Sequence, residues 1–385
     1  MSQHIQQRTV NIFKSKESFI FESGASIPEI EIAYETYGEL NEDRSNAILV
    51  CHALTGSAHV TGAARYPDFM IQHTPLLKSI NGQTPGWWQE LIGPGKVYDT
   101  NKYFIISSNV IGSCYGSSGP LSINPVTGSK YGPDFPQVTV RDMVKAQKLL
   151  LDHLDVDQLL LATGGSLGGM QVLEWALTFP GNVKAVIPIA TSAQHSDWAI
   201  SLNHLARQAI INDPQYNDGH YSSPPEKGLS LARKVGMISY RTDQNFNNRF
   251  GYERKGTQKE IFDASNIFQV ESYLNYQGKK LVGRFDANTF INLSNAMDLH
   301  DISRGRGTLQ DALGMISQPT LCIGIDSDIL YPAREQKKIA AGIHGARYAE
   351  IESVYGHDAF LIEFEKMDAI ITPFLEDIAT KKSDL

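Results

Sequence analysis

Cysteine is scarce in this chain of 385 residues, and its three cysteines, at positions 51, 114 and 322, lie far apart. None belongs to a C-x-x-C pair, so the sequence predicts neither a disulfide framework nor a structural zinc site. Basic charge is not in excess either, because 34 Lys and Arg residues stand against 42 Asp and Glu residues. The net charge of −8 argues against nucleic acid as a partner, since binding phosphates requires a basic surface.

Long apolar segments are also absent. No run approaches the roughly 20 residues that a membrane-spanning helix needs, and the amino-terminal residues are too polar for a secretory signal peptide. Apolar residues nevertheless make up 42% of the chain and charged residues only 20%, which is enough to form a large core. We therefore predict a soluble, cytoplasmic globular protein that has no membrane partner.

What the sequence does contain is an alternation of short apolar runs with amphipathic stretches. The apolar runs predict strands at 47–50, 103–106, 158–162, 184–189, 320–325 and 348–351. Apolar residues at helical spacing predict helices between them, at 139–153, 168–179 and 334–341. Strands that alternate with helices indicate βαβ units and a mostly parallel central sheet flanked by helices.

Residues 192–314 differ from the rest of the chain. They contain few strand-like runs and several short amphipathic segments, with many Asn, Tyr, Phe and Arg residues. We interpret this segment as a helical lid, inserted between two strands and covering their carboxyl ends. The remaining residues, 1–191 and 315–385, would then form one catalytic domain.

The segment 164–168 reads Gly-Gly-Ser-Leu-Gly and matches the pattern G-x-S-x-G, which is weak evidence alone because the chain contains 32 glycines. Its context strengthens it, because a predicted strand leads into the motif and a predicted helix follows, as in a nucleophile elbow. We predict that Ser166 is a nucleophile, and that the backbone N–H of Leu167, at the helix N-terminus, stabilises an oxyanion. The alternative is a glycine-rich turn without chemistry.

A serine hydroxyl becomes a good nucleophile only when a base takes its proton and a third group orients that base. After an elbow of this kind the acid and then the histidine follow along the chain. Asp326 and Asp328 both follow the strand predicted at 320–325, and His357 follows the strand predicted at 348–351. The order therefore predicts His357 as the base and leaves two candidates for the acid.

A second oxyanion donor is expected from the loop that follows an early strand. The loop 51–57 occupies this place, and we predict that the backbone N–H of Leu54 is the donor. His52 and His59 in and beside this loop suggest a metal site, but no acidic or sulfur ligand is spaced to complete one. We therefore predict no metal and interpret His52 as a histidine that packs the loop.

Several motifs, taken together, resemble a known family. They are HALTG (52–56), GPGK (93–96), GSSGP (116–120), DFP (134–136), GGSLGGMQ (164–171), LEWA (173–176), GLSLAR (228–233), RFDAN (284–288) and YGHDAF (355–360). This combination resembles the homoserine O-acetyltransferases, which have the α/β-hydrolase fold, and the resemblance extends from about residue 8 to 375. Residues 71–86 look longer than this family requires, and we assign them no role.

The resemblance implies a two-step transfer of an acetyl group from acetyl-CoA to the hydroxyl of L-homoserine, a reaction of methionine synthesis. Ser166 would attack the thioester and His357 would act as the base. Asp328, which matches the family pattern Ser-Asp-x-Leu-x-Pro, would orient the imidazole, while Asp326 would cap the turn. Acetyl-CoA enters as a co-substrate, and no other cofactor is implied.

The resemblance further implies that Arg233 and Asp358 bind the amino acid. A guanidinium suits its carboxylate, and a carboxylate suits its ammonium group. It also implies a homodimer in which the lid forms much of the contact. We interpret the acidic segment 298–301, which contains His300, as the solvated end of a lid helix.

Three alternatives remain. A relative of the same family would use succinyl-CoA as the donor or serine as the acceptor. A hydrolase would use the same three catalytic residues with water, so a lid that excludes water favours transfer. A catalytically silent binding protein is the third alternative, and the complete set of Ser166, Asp328 and His357 argues against it.

Overall fold

A computed structural model describes residues 8–79, 81–82, 85–255 and 268–380. The strands are β1 Arg8–Lys14, β2 Phe19–Ile20, β3 Ser26–Ile27, β4 Glu31–Tyr37, β5 Ala47–Cys51, β6 Phe104–Ser108, β7 Leu161–Gly165, β8 Val186–Ile189, β9 Leu321–Ile325 and β10 Arg347–Ile351. The helices are α1 Asp68–His73, α2 Val140–His153, α3 Leu167–Thr178, α4 Asp197–Ile211, α5 Glu226–Ser239, α6 Asp243–Phe250, α7 Gln269–Val282, α8 Ala287–Asp298, α9 Leu309–Gly314, α10 Ala333–Gly342 and α11 Phe364–Thr380.

Eight of the strands form one sheet, in the order β1-β4-β6-β5-β7-β8-β9-β10. Strand β4 pairs antiparallel with β1 and β6, and every other neighbouring pair is parallel. The central strands β5, β7, β8 and β9 are buried along their whole length, as expected for parallel strands covered on both faces. The predicted fold class, a mostly parallel sheet flanked by helices, is therefore confirmed.

Alternate residues of β5 point to opposite faces of the sheet and enter two separate apolar clusters. Leu49 belongs to the cluster that contains Leu173 of α3, whereas Ile48 belongs to the cluster that contains Phe374 of α11. Helices thus cover both faces. The catalytic residues predicted from the sequence lie in loops at the carboxyl ends of these strands.

The six predicted strands correspond to β5–β10. Strand β7 begins three residues later than predicted, at Leu161, and continues through the glycines of the elbow, because Gly164 and Gly165 pair with Pro188 and Ile189 of β8. The antiparallel strands at the amino-terminal edge of the sheet were not predicted. In sequence their apolar residues are interrupted by polar ones and form no long apolar run, although β4 is buried from Ile32 to Tyr37.

Between β8 and β9 the described residues form six helices, α4–α9. The division into a catalytic domain and a lid stays a proposal, and its residues 1–7, 256–267 and 381–385 lie outside the described residues. The segment 71–86 contains the end of α1 and a 3₁₀ turn at Pro75–Ser79, with residues 80, 83 and 84 outside the described residues. Of the helices that the structure describes, none is both long and apolar enough to cross a bilayer.

Candidate active site

Ser166 lies in the sharp turn between β7 and α3. Its backbone has φ 60° and ψ −125°, a region that a residue with a side chain rarely adopts. The turn is held by its own backbone, because the Ser166 N–H donates to the Ile189 carbonyl at 3.0 Å. A strained residue held this way is typical of a nucleophile elbow.

Two glycines of the motif are required by the neighbouring strand. A Cβ atom on Gly168 would lie 2.2 Å from the carbonyl oxygen of Cys51, and one on Gly164 would lie 2.6 Å from the same oxygen. Both distances are far shorter than van der Waals contact. The end of β5 can therefore approach the elbow only because these positions have no side chain.

The structure brings His357 and Asp328 together, in the loops that follow β10 and β9. Both are buried, and His357 Nδ1 lies 2.7 Å from Asp328 Oδ2. The other carboxylate oxygen of Asp328 accepts hydrogen bonds from the N–H groups of Leu330 at 2.8 Å and Tyr331 at 2.9 Å. Asp326 accepts instead from the Ser353 N–H at 2.9 Å, as expected for a residue that caps the turn.

The charge on Asp328 determines how His357 titrates. Burial by itself lowers the pKa of His357, but the negative charges of Asp328 and Asp358 outweigh it, so this pKa is raised above its ordinary value. With Nδ1 held by Asp328, the imidazole has Nε2 left to exchange a proton. Among the described residues no hydrogen bond joins Ser166 to His357, and unliganded sites often have this contact loose.

The two predicted oxyanion donors flank Ser166. Leu54 follows β5 and Leu167 is the first residue of α3, and both are buried. Within the part of the chain that the structure describes, neither backbone N–H has a hydrogen-bond acceptor. A buried N–H without an acceptor is uncommon, because it loses a hydrogen bond with water and gains none in return. Both groups are therefore available to a negatively charged oxygen.

A small cavity opens at Ser166. Its walls come from the loops after β5, β7 and β9 and from the helices α4, α5 and α8. The lining residues are Leu54, Ser166, Leu202, Asn203, Ala206, Ala232, Val235, Gly236, Ser239, Tyr240, Phe290, Met297, Leu330 and Tyr331. Most of these side chains are apolar, which suits a site that must keep water from a reactive intermediate.

Arg233 and Asp358 adjoin this cavity through Tyr240. The guanidinium of Arg233 lies 5.8 Å from the centre of the Tyr240 ring, and it forms no ion pair with any described carboxylate. Burial lowers the pKa of Arg233. The Asp358 N–H donates to the Tyr240 carbonyl at 3.2 Å. Both residues are thus neighbours of Tyr240, which lines the cavity.

Sequence reasoning missed Arg241, which forms an ion pair with Asp358. Its Nε lies 2.9 Å from Asp358 Oδ2. Burial raises the pKa of Asp358, and the positive charge of Arg241 opposes this effect. The same lid segment packs against Gly356, whose φ is 64° and whose Cβ, if present, would lie 3.0 Å from the Tyr240 carbonyl oxygen. No local pattern signals these contacts, since the two segments are distant in sequence.

The acidic segment at 298–301 is only partly solvated, because Asp298 and Asp301 are partly buried, whereas Leu299 is 44% exposed. Asp298 lies 3.1 Å from His195 Nδ1 and is also paired with Arg207. His195 Nε2 in turn lies 2.8 Å from the hydroxyl of Tyr331, which lines the cavity. His300 is buried, and burial lowers its pKa to about 4. This network connects α8 to the loop that contains Asp328.

The two histidines of the early loop have separate partners. His52 Nδ1 lies 2.8 Å from the Ala53 carbonyl oxygen, and its Nε2 lies 3.0 Å from the Val110 nitrogen. His59 Nδ1 lies 3.1 Å from Glu35 Oε2, on β4. The structure does not bring the two rings together around one point.

Comparison with known proteins agrees with the fold. A family model described as the alpha/beta hydrolase fold matches residues 46–364. The homoserine O-acetyltransferase of Moorella thermoacetica is 48% identical over 376 residues, which cover 96% of this chain and 96% of that protein.

Two solved structures have closely similar backbones. The homoserine O-acetyltransferase from Bacillus anthracis superposes with a TM-score of 0.86 at 30% identity and covers 96% of this chain and 98% of its own. Esterase E22 superposes with a TM-score of 0.84 at 28% identity, and the match covers 96% of this chain and 100% of the esterase chain. The chain therefore belongs to the α/β-hydrolase fold and, within it, to the homoserine O-acetyltransferase family.

Proposed function

We propose that this enzyme transfers an acetyl group from acetyl-CoA to the hydroxyl of L-homoserine, through an acyl-Ser166 intermediate. The observation that carries this proposal is near-full-length similarity to homoserine O-acetyltransferases at 48% identity. The contact between His357 and Asp328 supports the proposed catalytic roles. The chemistry requires no metal or further cofactor, because the thioester itself supplies the activated acyl group.

In the first step the Ser166 hydroxyl oxygen attacks the thioester carbonyl carbon, and His357 Nε2 takes the hydroxyl proton. The carbonyl oxygen becomes an oxyanion, for which the N–H groups of Leu54 and Leu167 are the proposed donors. When the C–S bond breaks, the CoA sulfur leaves as a thiol with the proton from His357. Donors aimed at such an oxyanion each contribute about 10²–10³-fold in rate.

In the second step the homoserine hydroxyl gives its proton to His357 and attacks the acyl-Ser166 carbonyl carbon. The ester bond to Ser166 breaks, and the serine oxygen recovers the proton. Arg233 is proposed to bind the carboxylate of the amino acid and Asp358 its ammonium group. With both ends bound, only the side-chain hydroxyl can reach the acyl group.

Apolar residues on the lid support the proposed homodimer. Trp198 and Leu205 on α4 are about half exposed, as are Leu231 and Ile238 on α5. Each pair is seven residues apart and so lies on one face of its helix. Exposed apolar residues gathered on neighbouring helices indicate a surface that contacts another protein. The second copy of this chain is the proposed occupant.

The similarity to esterase E22 favours hydrolysis as the second candidate function. One experiment distinguishes it from transfer. The purified protein is mixed with acetyl-CoA, with and without L-homoserine, and the free thiol of CoA is followed. We expect sustained thiol release only with homoserine, whereas release that ignores homoserine would establish a hydrolase.

The same assay tests the choice of substrates. Succinyl-CoA outperforming acetyl-CoA would replace the proposed donor, and L-serine outperforming L-homoserine would replace the proposed acceptor. The cytoplasmic location stays a prediction.

A further inference from the structure

His52 lies immediately after β5, and its side chain is fully buried. Its Nε2 faces the backbone nitrogen of Val110 at 3.0 Å, and its Nδ1 faces the Ala53 carbonyl oxygen at 2.8 Å. A backbone N–H can only donate, so Nε2 must accept with its lone pair. The single hydrogen of a neutral ring is therefore on Nδ1, which donates it to the Ala53 carbonyl.

The surroundings of His52 admit only this neutral tautomer. A protonated ring would direct a second N–H against the Val110 N–H, and the other neutral tautomer would direct a lone pair at the Ala53 carbonyl oxygen. Burial also lowers the pKa of His52 to about 4, so the ring is neutral near pH 7. The hydrogen on Nδ1 is thus a fixed feature of the folded protein.

The Ala53 carbonyl belongs to the same peptide group as the Leu54 N–H. In a trans peptide these two bonds point in opposite directions. A hydrogen bond that holds the Ala53 carbonyl oxygen towards the His52 ring therefore directs the Leu54 N–H away from that ring. Leu54 lines the cavity together with Ser166. The Gly56 N–H also donates to the Ala53 carbonyl, at 2.9 Å, and makes the turn tight.

Gln171 of α3 holds the neighbouring peptide. Its side-chain NH₂ donates to the His52 carbonyl and to the Leu167 carbonyl, each at 3.2 Å. Gln147 fixes this amide in turn, by donating to Gln171 Oε1 at 2.8 Å. The two segments that supply the proposed oxyanion donors are thereby joined to one helix, and His52 sets the orientation of one of them.

We propose that His52 is a positioning residue for the oxyanion hole. By donating from Nδ1 to the Ala53 carbonyl, it orients the Ala53–Leu54 peptide so that the Leu54 N–H faces the carbonyl oxygen of the acyl group on Ser166. This assigns His52 a role beyond packing of the loop. The inference rests on the proposed reaction through acyl-Ser166.

Two amide substitutions separate the two hydrogen bonds of His52. In His52→Asn the side-chain NH₂ can replace Nδ1 and donate to Ala53, but the side chain is too short to reach Val110. In His52→Gln the amide oxygen can replace Nε2 and accept from Val110, while the donor to Ala53 is lost. The pair is matched in polarity, so the slower variant shows which of the two hydrogen bonds supports acylation.

The first readout is the rate at which p-nitrophenyl acetate acylates Ser166. This rate is measured from the burst of released p-nitrophenol. We expect His52→Asn to remain within about tenfold of wild type and His52→Gln to fall by about 10²-fold, the scale of losing one oxyanion donor. Affinity for a trifluoromethyl ketone, which adds to serine and places an oxyanion in the hole, should fall in parallel. Equal rates in the two variants, or a faster His52→Gln, would overturn the inference.

A measurement on the wild-type protein covers the case in which a variant does not fold. In protein labelled with ¹⁵N-histidine, the ring nitrogens of His52 should report hydrogen on Nδ1 and none on Nε2 at pH 7. Hydrogen on Nε2 would overturn the inference. Failure of the proposed function can be told apart from failure of this inference. A wild-type enzyme that is acylated but transfers nothing to homoserine would contradict the proposed function and leave both readouts of His52 unchanged.

Discussion

The Ser166 side of the site and the His357 side differ in what holds them in place. Around Ser166 the contacts come mostly from the sheet and its adjoining helix: the Ile189 carbonyl binds the Ser166 N–H, and Gly168 packs against the Cys51 carbonyl. From the proposed lid, residues 192–314, Arg284 reaches this side, donating to the Thr55 carbonyl at 3.0 Å.

Around His357 the lid contributes far more. The Thr242 hydroxyl donates to the Val354 carbonyl at 2.6 Å, the Tyr240 carbonyl accepts from the Asp358 N–H, and Arg241 pairs with Asp358. The nucleophile is thus built into the sheet, whereas the base is stabilised by the lid. His357 serves both steps, so only substitutions of lid residues at the proposed amino-acid site are expected to affect transfer more than acylation of Ser166.

The largest effect is expected from Ser166→Ala, which removes the atom that both steps share. Acylation should fall by about 10⁴-fold or more. Intact-protein mass spectrometry after addition of acetyl-CoA should show an acetyl adduct on the wild type and none on the variant. An undiminished adduct on Ser166→Ala would mean that another residue is the nucleophile.

Asp328→Asn tests the charge that supports His357. We expect kcat to fall by about 10⁴-fold, because the amide favours the wrong tautomer of the ring. His357 must be neutral to accept a proton, so activity is lost as pH falls through its raised pKa. In the wild type this loss should be centred above the ordinary value of about 6.5, and in Asp328→Asn it should move to lower pH. A pH profile of kcat/KM that does not move would contradict the assignment.

Arg233→Ala should separate the two steps. Losing a partly buried positive charge opposite the proposed position of the substrate carboxylate should raise the KM for L-homoserine by about 10²-fold. Acylation by acetyl-CoA alone should be spared. The matched control is Arg249→Ala, which removes a lid arginine stacked on Tyr273 at 4.5 Å and should leave both steps unchanged. Equal loss in both steps for Arg233→Ala would remove the distinction between the two sides.

Arg241→Gln sharpens the comparison further. Burial already raises the pKa of Asp358, and loss of this cation should raise it further. The carboxylate would then become protonated at a higher pH than in the wild type. We expect the KM for L-homoserine to rise about tenfold near neutral pH and to recover at higher pH. Arg241→Lys, which keeps the charge, should show a smaller change. A KM increase that does not depend on pH would instead indicate that Arg241 acts only through packing.

The smallest effect on the chemistry is expected from Leu205→Arg, which places a charge on the proposed dimer surface. Sedimentation velocity should show a monomer, with acylation of Ser166 retained. Ile123→Arg is the matched control, since Ile123 is 59% exposed and Leu205 57% exposed, but only Leu205 lies on the lid. A dimer that survives Leu205→Arg would place the contact elsewhere.

Local patterns in the sequence are enough to predict the candidate residues at the carboxyl ends of the strands. The elbow follows from five residues and their flanks, because a strand, a serine and a helix are contiguous in sequence. His357 and the two candidate aspartates follow from their order along the chain, and the structure brings Asp328 to the imidazole. Each of these depends on a short segment at the carboxyl end of one strand.

The lid side could not be predicted in the same way. Arg241 meets Asp358 only because the end of α5 packs on the loop after β10, and a single sequence carries no signal for that packing. The same holds for Asp298 and His195, whose pairing partly buries a segment that reads as solvated. His52 was interpreted as a packing residue, because the sequence does not show that its two ring nitrogens face Ala53 and Val110.

Gly356 has a consequence for redesign of this enzyme. A side chain there would crowd the backbone at Tyr240 and Arg241 and would be strained at a φ of 64°, so the end of α5 and the loop at 354–358 pack as a closely fitted pair. Exchanging the lid for that of a relative, to change the accepted alcohol, would separate this pair. A chimera should therefore carry both segments from the same parent, even though they are far apart in the gene.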